Sequence, residues 1–128
     1  MLTDAKNAEL IHQYFDSIDT NELRNAFCLF VGLSAALRTY RCHPQIKGEV
    51  SDYRLFSETD EQEFSFILNK KWLLFYFRLP AVRSGRYTIQ ALKTKFDSVN
   101  ENTRGEWTVK LRGMDDVLRL WGFLNLTK

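Results

Sequence analysis

The amino-acid sequence predicts an α+β domain in which two N-terminal helices precede an antiparallel sheet with helices packed on it, in the order ααβββαβα. Three observations predict this class. Apolar residues recur at helical spacing up to about residue 43, the period changes to two after Gly48, and helical spacing returns over 87–96 and again from Met114 onward. Strands that are grouped between helices, rather than alternating with them, are typical of α+β domains.

Length and composition predict one folded domain spanning residues 1–128, with a helical part (1–43) and a sheet-plus-helix part (48–128) sharing one core. The chain has 128 residues, of which 45% are hydrophobic, and ten are Phe. The most apolar run, residues 26–37, is shorter than the roughly 20 residues that a membrane-spanning helix needs. We therefore expect no membrane segment. Cys28 and Cys42 are too few for a disulfide scaffold, so we expect reduced thiols in a cytoplasmic protein, with Cys28 in the core.

The first two elements are expected to be helices. Residues 3–17 carry apolar side chains at helical spacing. Asp19 followed by Glu22 has the form of a capping box, which indicates the start of a second helix. We expect this helix to end near Arg41, because the residue before Pro44 is pushed out of the helical region.

The middle of the chain predicts three strands. Residues 50–56 and 63–68 alternate, and Asn69-Lys70 forms a turn into residues 71–78, which makes a hairpin. Residues 72–77 are apolar at every position, which is typical of a central strand covered on both faces.

The last third of the chain predicts a helix, a strand and a helix. After a loop (81–86) we expect a helix over 87–96 and a turn-rich connection over 97–105. Residues 106–112 alternate as a half-buried strand, with Lys110 and Arg112 facing outward. The closing helix, 114–124, is expected to face the core with Val117, Leu118, Trp121 and Leu124.

Residues 53–124 resemble the small bacterial YjbR/MmcQ-type double-wing domains. A strand pair around a Lys-Lys turn is followed by a helix, a strand with an early Trp and a closing helix. The residues that carry the resemblance are Phe66, Lys71, Trp72, Leu92, Trp107, Val109 and Leu111. The resemblance implies no catalytic residues and a suspected ability to bind DNA.

The sequence contains no recognisable catalytic or metal-binding motif. His12 and His43 are the only histidines, and neither accompanies a nucleophile motif. No chelating CxxC or HExxH spacing occurs, and the acidic run Glu58–Glu63 has the composition of a surface loop. We therefore expect neither enzymatic activity, nor a cofactor, nor a metal.

Charge is distributed unevenly along the chain. Residues 1–63 hold six Lys/Arg against eleven Asp/Glu, whereas residues 64–128 hold twelve against five. No acidic residue occurs from Phe64 to Phe96. Such asymmetry indicates an anionic partner. The hairpin tip at Lys70 and Lys71 lies a strand length away from Arg83 and Arg86, so these two pairs are not expected to form one patch.

The sequence therefore predicts a small non-enzymatic binding module for an anionic ligand, most concretely nucleic acid held through its phosphates with low sequence specificity. Arg83 and Arg86 are expected to join basic residues of the following helix or the last strand, and Tyr87 is expected to be the exposed aromatic. The candidate binding residues are Arg83, Arg86, Tyr87, Lys93, Lys95, Lys110 and Arg112. The alternative is a protein-interaction module of regulator, inhibitor or immunity type that contacts a charged protein partner.

Overall fold

The computed structural model describes residues 5–126 and consists of a six-stranded antiparallel sheet with helices packed on it. Residues 3 and 4, where the first helix was expected to begin, lie outside the described residues. The helices are α1 (Ala5–Ser17), α2 (Asn21–Ala35), α3 (Leu79–Arg83), α4 (Ile89–Lys95) and α5 (Met114–Leu124). The strands are β1 (Arg41–Lys47), β2 (Val50–Phe56), β3 (Gln62–Leu68), β4 (Leu73–Phe77), β5 (Asn100–Glu101) and β6 (Trp107–Leu111).

The strands lie in the order β1-β2-β3-β4-β6-β5, and every neighbouring pair is antiparallel. Consecutive strands are joined by short turns from β1 to β4, as is usual for antiparallel sheets. The chain then leaves through α3 and α4 and returns as β5 and β6, so that β6 pairs with β4. The α+β class and the expected succession of elements are confirmed. The structure adds three elements, which are the seven-residue strand β1 and the short elements α3 and β5.

One face of the sheet, which we call the core face, packs against α1, α2 and α5. Phe30 of α2 is fully buried at the centre of this contact. Its ring lies 5.0 Å from that of Phe66, 5.8 Å from that of Phe75 and 5.3 Å from that of Trp121, measured between ring centroids. Such aromatic pairs stabilise a core beyond the area that they bury.

The second helix ends six residues before the position predicted for it. It stops at Ala35, and Arg41–Lys47 forms the edge strand β1. Pro44 lies inside this strand, where a residue without a backbone N–H is tolerated because an edge strand has one unpaired side. The N-cap is Thr20, whose side chain accepts a hydrogen bond from the backbone of Leu23, and not Asp19.

Three burial predictions for α2, α5 and β4 are wrong. Cys28 is exposed, because the buried stripe of α2 lies on the opposite side of that helix. Leu118 is 55% exposed, and its place in the core is taken by Leu120. The central position of β4 is confirmed, but the strand is covered on one face only.

The uncovered face of the sheet, which we call the open face, carries the alternate residues of every long strand. In one row across the sheet the ladder pairs Gln45, Asp52, Ile67, Leu74 and Lys110. The next row consists of His43, Arg54, Ser65, Tyr76 and Thr108. Ile67, Leu74 and Tyr76 are only half-buried, although they lie on central strands.

Candidate functional site

Three of the seven predicted binding residues line one cavity of about 460 Å³. Lys95 comes from the end of α4, Lys110 from β6, and Arg112 from the turn after β6. Arg119 of α5 lines the same cavity, which we call the basic cavity. Four cations from three separate chain segments therefore meet at one site.

The turn between β6 and α5 positions the wall of the basic cavity. Asp116, in the first turn of α5, accepts a hydrogen bond of 2.9 Å from the backbone N–H of Arg112. Its other oxygen pairs with Arg119 at 3.0 Å. A carboxylate is favourable at this end of a helix because of the helix dipole. Both carboxylate oxygens of Asp116 are therefore already bonded, one to the backbone of Arg112 and one to the side chain of Arg119.

The basic cavity has an excess of positive charge. Its lining contains four cations and two carboxylates, Asp97 and Asp116. Among the described residues, the side chains of Lys95, Lys110 and Arg112 form no ion pair. A cavity whose cations outnumber its carboxylates produces a local field that attracts anions.

Trp72 adds an aromatic surface beside this cavity. The Nζ of Lys110 lies 4.3 Å from its ring centroid, and the guanidinium carbon of Arg112 lies 5.7 Å away. The indole is half-buried on the open face. Leu73 pairs with Leu111, so the hairpin tip with the exposed Lys71 lies at the same end of the sheet.

Arg86 does not belong to this site. Its Nη2 lies 2.6 Å from Glu63, and its Nη1 donates to the hydroxyl of Tyr40 at 3.4 Å. Glu63 also accepts a hydrogen bond from Tyr40. Glu63 lies beside the C-terminal end of β4, whereas Arg112 lies beside the N-terminal end of that strand. Burial lowers the pKa of the Arg86 guanidinium, but the hydrogen bonds to Tyr40 and Glu63 outweigh this effect and raise it. Arg86 is therefore held in a local network.

Tyr87 is buried, so the prediction that it is exposed is wrong. Its hydroxyl donates to the carbonyl of Leu124 at 2.7 Å, and its ring stacks on that of Phe123. Burial raises the pKa of Tyr87. Arg83 and Lys93 are exposed on α3 and α4, and neither lines the basic cavity.

A second cavity of about 490 Å³, the sheet groove, crosses the open face. Two paired arginines lie in its lining: Arg54 contacts Asp52 at 2.8 Å, and Arg78 contacts Glu106 at 3.2 Å. None of these residues was singled out from the sequence. The alternation of Asp52 and Arg54 with apolar residues in 50–56 indicates that both charged side chains lie on one face of a strand. It does not show which strands lie beside β2. The lining residues are Lys47, Val50, Asp52, Arg54, Gln62, Ile67, Arg78, Leu79, Pro80, Arg104 and Glu106.

Residues 5–126 contain no group of three or more His, Cys, Asp or Glu side chains that could hold a metal ion. His43 stacks on Phe56 on the open face, with 5.2 Å between ring centroids. Burial and the neighbouring Arg41 lower its pKa. In the same part of the chain, every helix is too short or too polar to cross a bilayer.

Comparisons with protein-family models, with curated proteins and with solved structures find no significant match to this chain. The function is therefore inferred from the two cavities and their charges.

Proposed function

We propose that this chain is a non-enzymatic binding module for nucleic acid, which it holds through phosphates at the basic cavity. The observation that carries the proposal is the convergence of Lys95, Lys110 and Arg112 on one cavity without ion-pair partners. Phosphate oxygens are the usual partners of such cations in nucleic-acid complexes.

Low sequence specificity follows from the kind of contact. Lys and Arg side chains that bind phosphates fix position and orientation, but they carry no direct sequence information. The exposed Lys71 extends the positive surface at the same end of the sheet. Affinity should therefore depend mainly on salt and on strand length.

The test is a fluorescence-anisotropy titration with labelled oligonucleotides at low salt. The variant Lys95→Ala/Lys110→Ala/Arg112→Ala removes the three converging cations. Its matched control removes the same charge from exposed positions outside the cavity, in Lys6→Ala/Arg38→Ala/Arg83→Ala. Circular dichroism verifies that both variants are folded.

We expect the cavity variant to lose at least about tenfold in affinity, since three phosphate contacts are removed. The control should bind almost as tightly as the unmodified protein. Equal losses in both variants would show that only net charge matters. No binding to any oligonucleotide at low salt would overturn the proposal and leave an acidic protein surface as the next ligand class to test.

A further inference from the structure

We infer that the ligand is a single-stranded nucleic acid whose bases lie in the sheet groove, with Arg78 as a stacking platform. This inference rests on the proposed function and names the ligand class of the same surface. Three observations carry it: a fixed planar guanidinium on the groove floor, cations without ion-pair partners at the groove rim, and a row of the open face that runs from the groove to the basic cavity.

The guanidinium of Arg78 is held flat on the sheet. Its carbon lies 4.1 Å from the ring centroid of Tyr76, its Nε donates to Ser65 at 2.9 Å, and its Nη1 contacts both oxygens of Glu106 at 3.2 and 3.3 Å. Asn102 donates to the same carboxylate at 3.0 Å, which holds that partner in place as well. A guanidinium with one face on an aromatic ring presents its other face to the groove, where a base can stack on it.

The cations at the groove rim form no ion pairs within residues 5–126, whereas the two arginines on its floor are each paired with a carboxylate. Lys47 and Arg104 line the groove and are exposed, and among residues 5–126 neither side chain forms an ion pair. Lys47 ends the edge strand β1, whereas Arg104 lies in the turn between β5 and β6. This arrangement provides the planar guanidinium of Arg78 and the apolar side chain of Ile67 as contacts for bases, and charged margins for phosphates.

The groove and the basic cavity share no lining residue among the described residues, but one row of the open face runs from one to the other. Lys110 lies in the same row of the open face as Ile67, and Ile67 lines the groove. With about 4.8 Å between strands, β6 and β1 are roughly 19 Å apart across the sheet. Sheet-based single-strand binders cover about 4–16 nucleotides, so a short oligonucleotide can reach from one site to the other.

The open face also holds two enclosed polar atoms without partners among the described residues. They are Oδ1 of Asp52 and Nε1 of Trp72. Buried side-chain polar atoms are normally hydrogen-bonded, so each exception requires an explanation. Because both atoms are enclosed, a ligand cannot reach either of them without a rearrangement of the open face.

A duplex does not fit this description, because its bases are stacked inside the helix and their faces are not accessible to Arg78. A duplex can still contact the basic cavity through its phosphates. The inference therefore separates two contributions. Phosphate binding is common to single and double strands, whereas base stacking is restricted to single strands.

The test compares three labelled probes of equal length: a thymidine oligonucleotide, a duplex, and an abasic strand that has phosphates but no bases. The variant Arg78→Lys keeps the charge and a partner for Glu106 but removes the planar guanidinium. We expect it to weaken thymidine-strand binding about fivefold or more, in line with the loss of one stacked base. Binding of the duplex and of the abasic strand should remain within about twofold.

A second variant, Lys47→Ala/Arg104→Ala, changes only exposed rim residues and keeps the test valid if Arg78→Lys unfolds. It should weaken single-strand binding more than duplex binding. Equal affinity for the thymidine and abasic strands, unchanged in both variants, would overturn the inference and leave phosphate binding at the basic cavity intact. A stable dimer of the free protein that dissociates on Lys47→Ala/Arg104→Ala would also overturn it, because a second copy would then cover the groove.

Discussion

Arg86 provides a sharp test of the difference between a basic residue that binds a ligand and one that holds the fold. The substitution Arg86→Ala removes the partner of Glu63, whose side chain is only 13% exposed. A hydrogen bond to a charged group contributes about 1.5–3 kcal/mol, and the exposure of the Arg86 side chain reduces this figure. Tyr40 remains as a donor to Glu63, with 2.5 Å between the two oxygens. We therefore expect a loss of about 1–2 kcal/mol in the free energy of unfolding.

For a domain of this size, that loss corresponds to a decrease in Tm of roughly 3–10 °C. Thermal unfolding followed by circular dichroism measures this decrease, and an anisotropy titration well below the Tm measures oligonucleotide affinity. Affinity should be nearly unchanged. The control is Arg83→Ala, which removes the same charge from an exposed helix position and should alter neither quantity. A large loss of affinity in Arg86→Ala without a loss of stability would refute the structural role of the Arg86–Glu63 pair.

Three further expectations concern the core. Leu120→Ala should lower the free energy of unfolding in urea by about 2–5 kcal/mol, and Leu118→Ala should lower it by less than about 1 kcal/mol. The reason is that only the Leu120 side chain is buried. Similar losses in both variants would contradict the orientation of α5. Cys28 should react with a thiol reagent in the folded protein, whereas Cys42 should react only after unfolding. Rapid reaction of both cysteines in the folded protein would contradict the burial of Cys42. Burial and the nearby Asp52 charge raise the pKa of Tyr14 to about 12. The neutral Tyr14 side chain should therefore contribute fully to the free energy of unfolding below pH 10, and this contribution should be lost as pH rises through 12. Urea midpoints between pH 8 and 12 should therefore fall less steeply in Tyr14→Phe than in the unmodified protein.

The elements that could be predicted from the sequence are those that local patterns specify. Strand β6 follows from strict alternation, and α5 follows from two acidic residues before an apolar helical stripe. Strand β1 was missed because Pro44 next to a helix is commonly a sign of its end, and only pairing with β2 shows that the segment is an edge strand. Leu118 was predicted to be buried in place of Leu120, and this choice was wrong because the contacts that bury Leu120 are made by residues distant in sequence.

The candidate site was predicted in part. Lys110 and Arg112 were expected to face outward because the strand alternates, and the structure places them with Lys95 around one cavity. The sheet groove was not predicted, because its lining comes from several strands and the turn before β6, and the uniformly apolar run of β4 indicated a strand covered on both faces. Which cations are free depends on which carboxylates lie nearby in the fold. Sequence order does not contain that information for Arg86 and Glu63.

The central claim is that Lys95, Lys110 and Arg112 bind phosphates. The most direct measurement is the slope of log affinity against log salt concentration for a single-stranded oligonucleotide, in the unmodified protein and in the triple alanine variant. Each neutralised phosphate contributes about −0.7 to this slope for single strands, so the variant should have a slope shallower by about 2. Equal slopes in the two proteins would contradict the claim, whatever their absolute affinities.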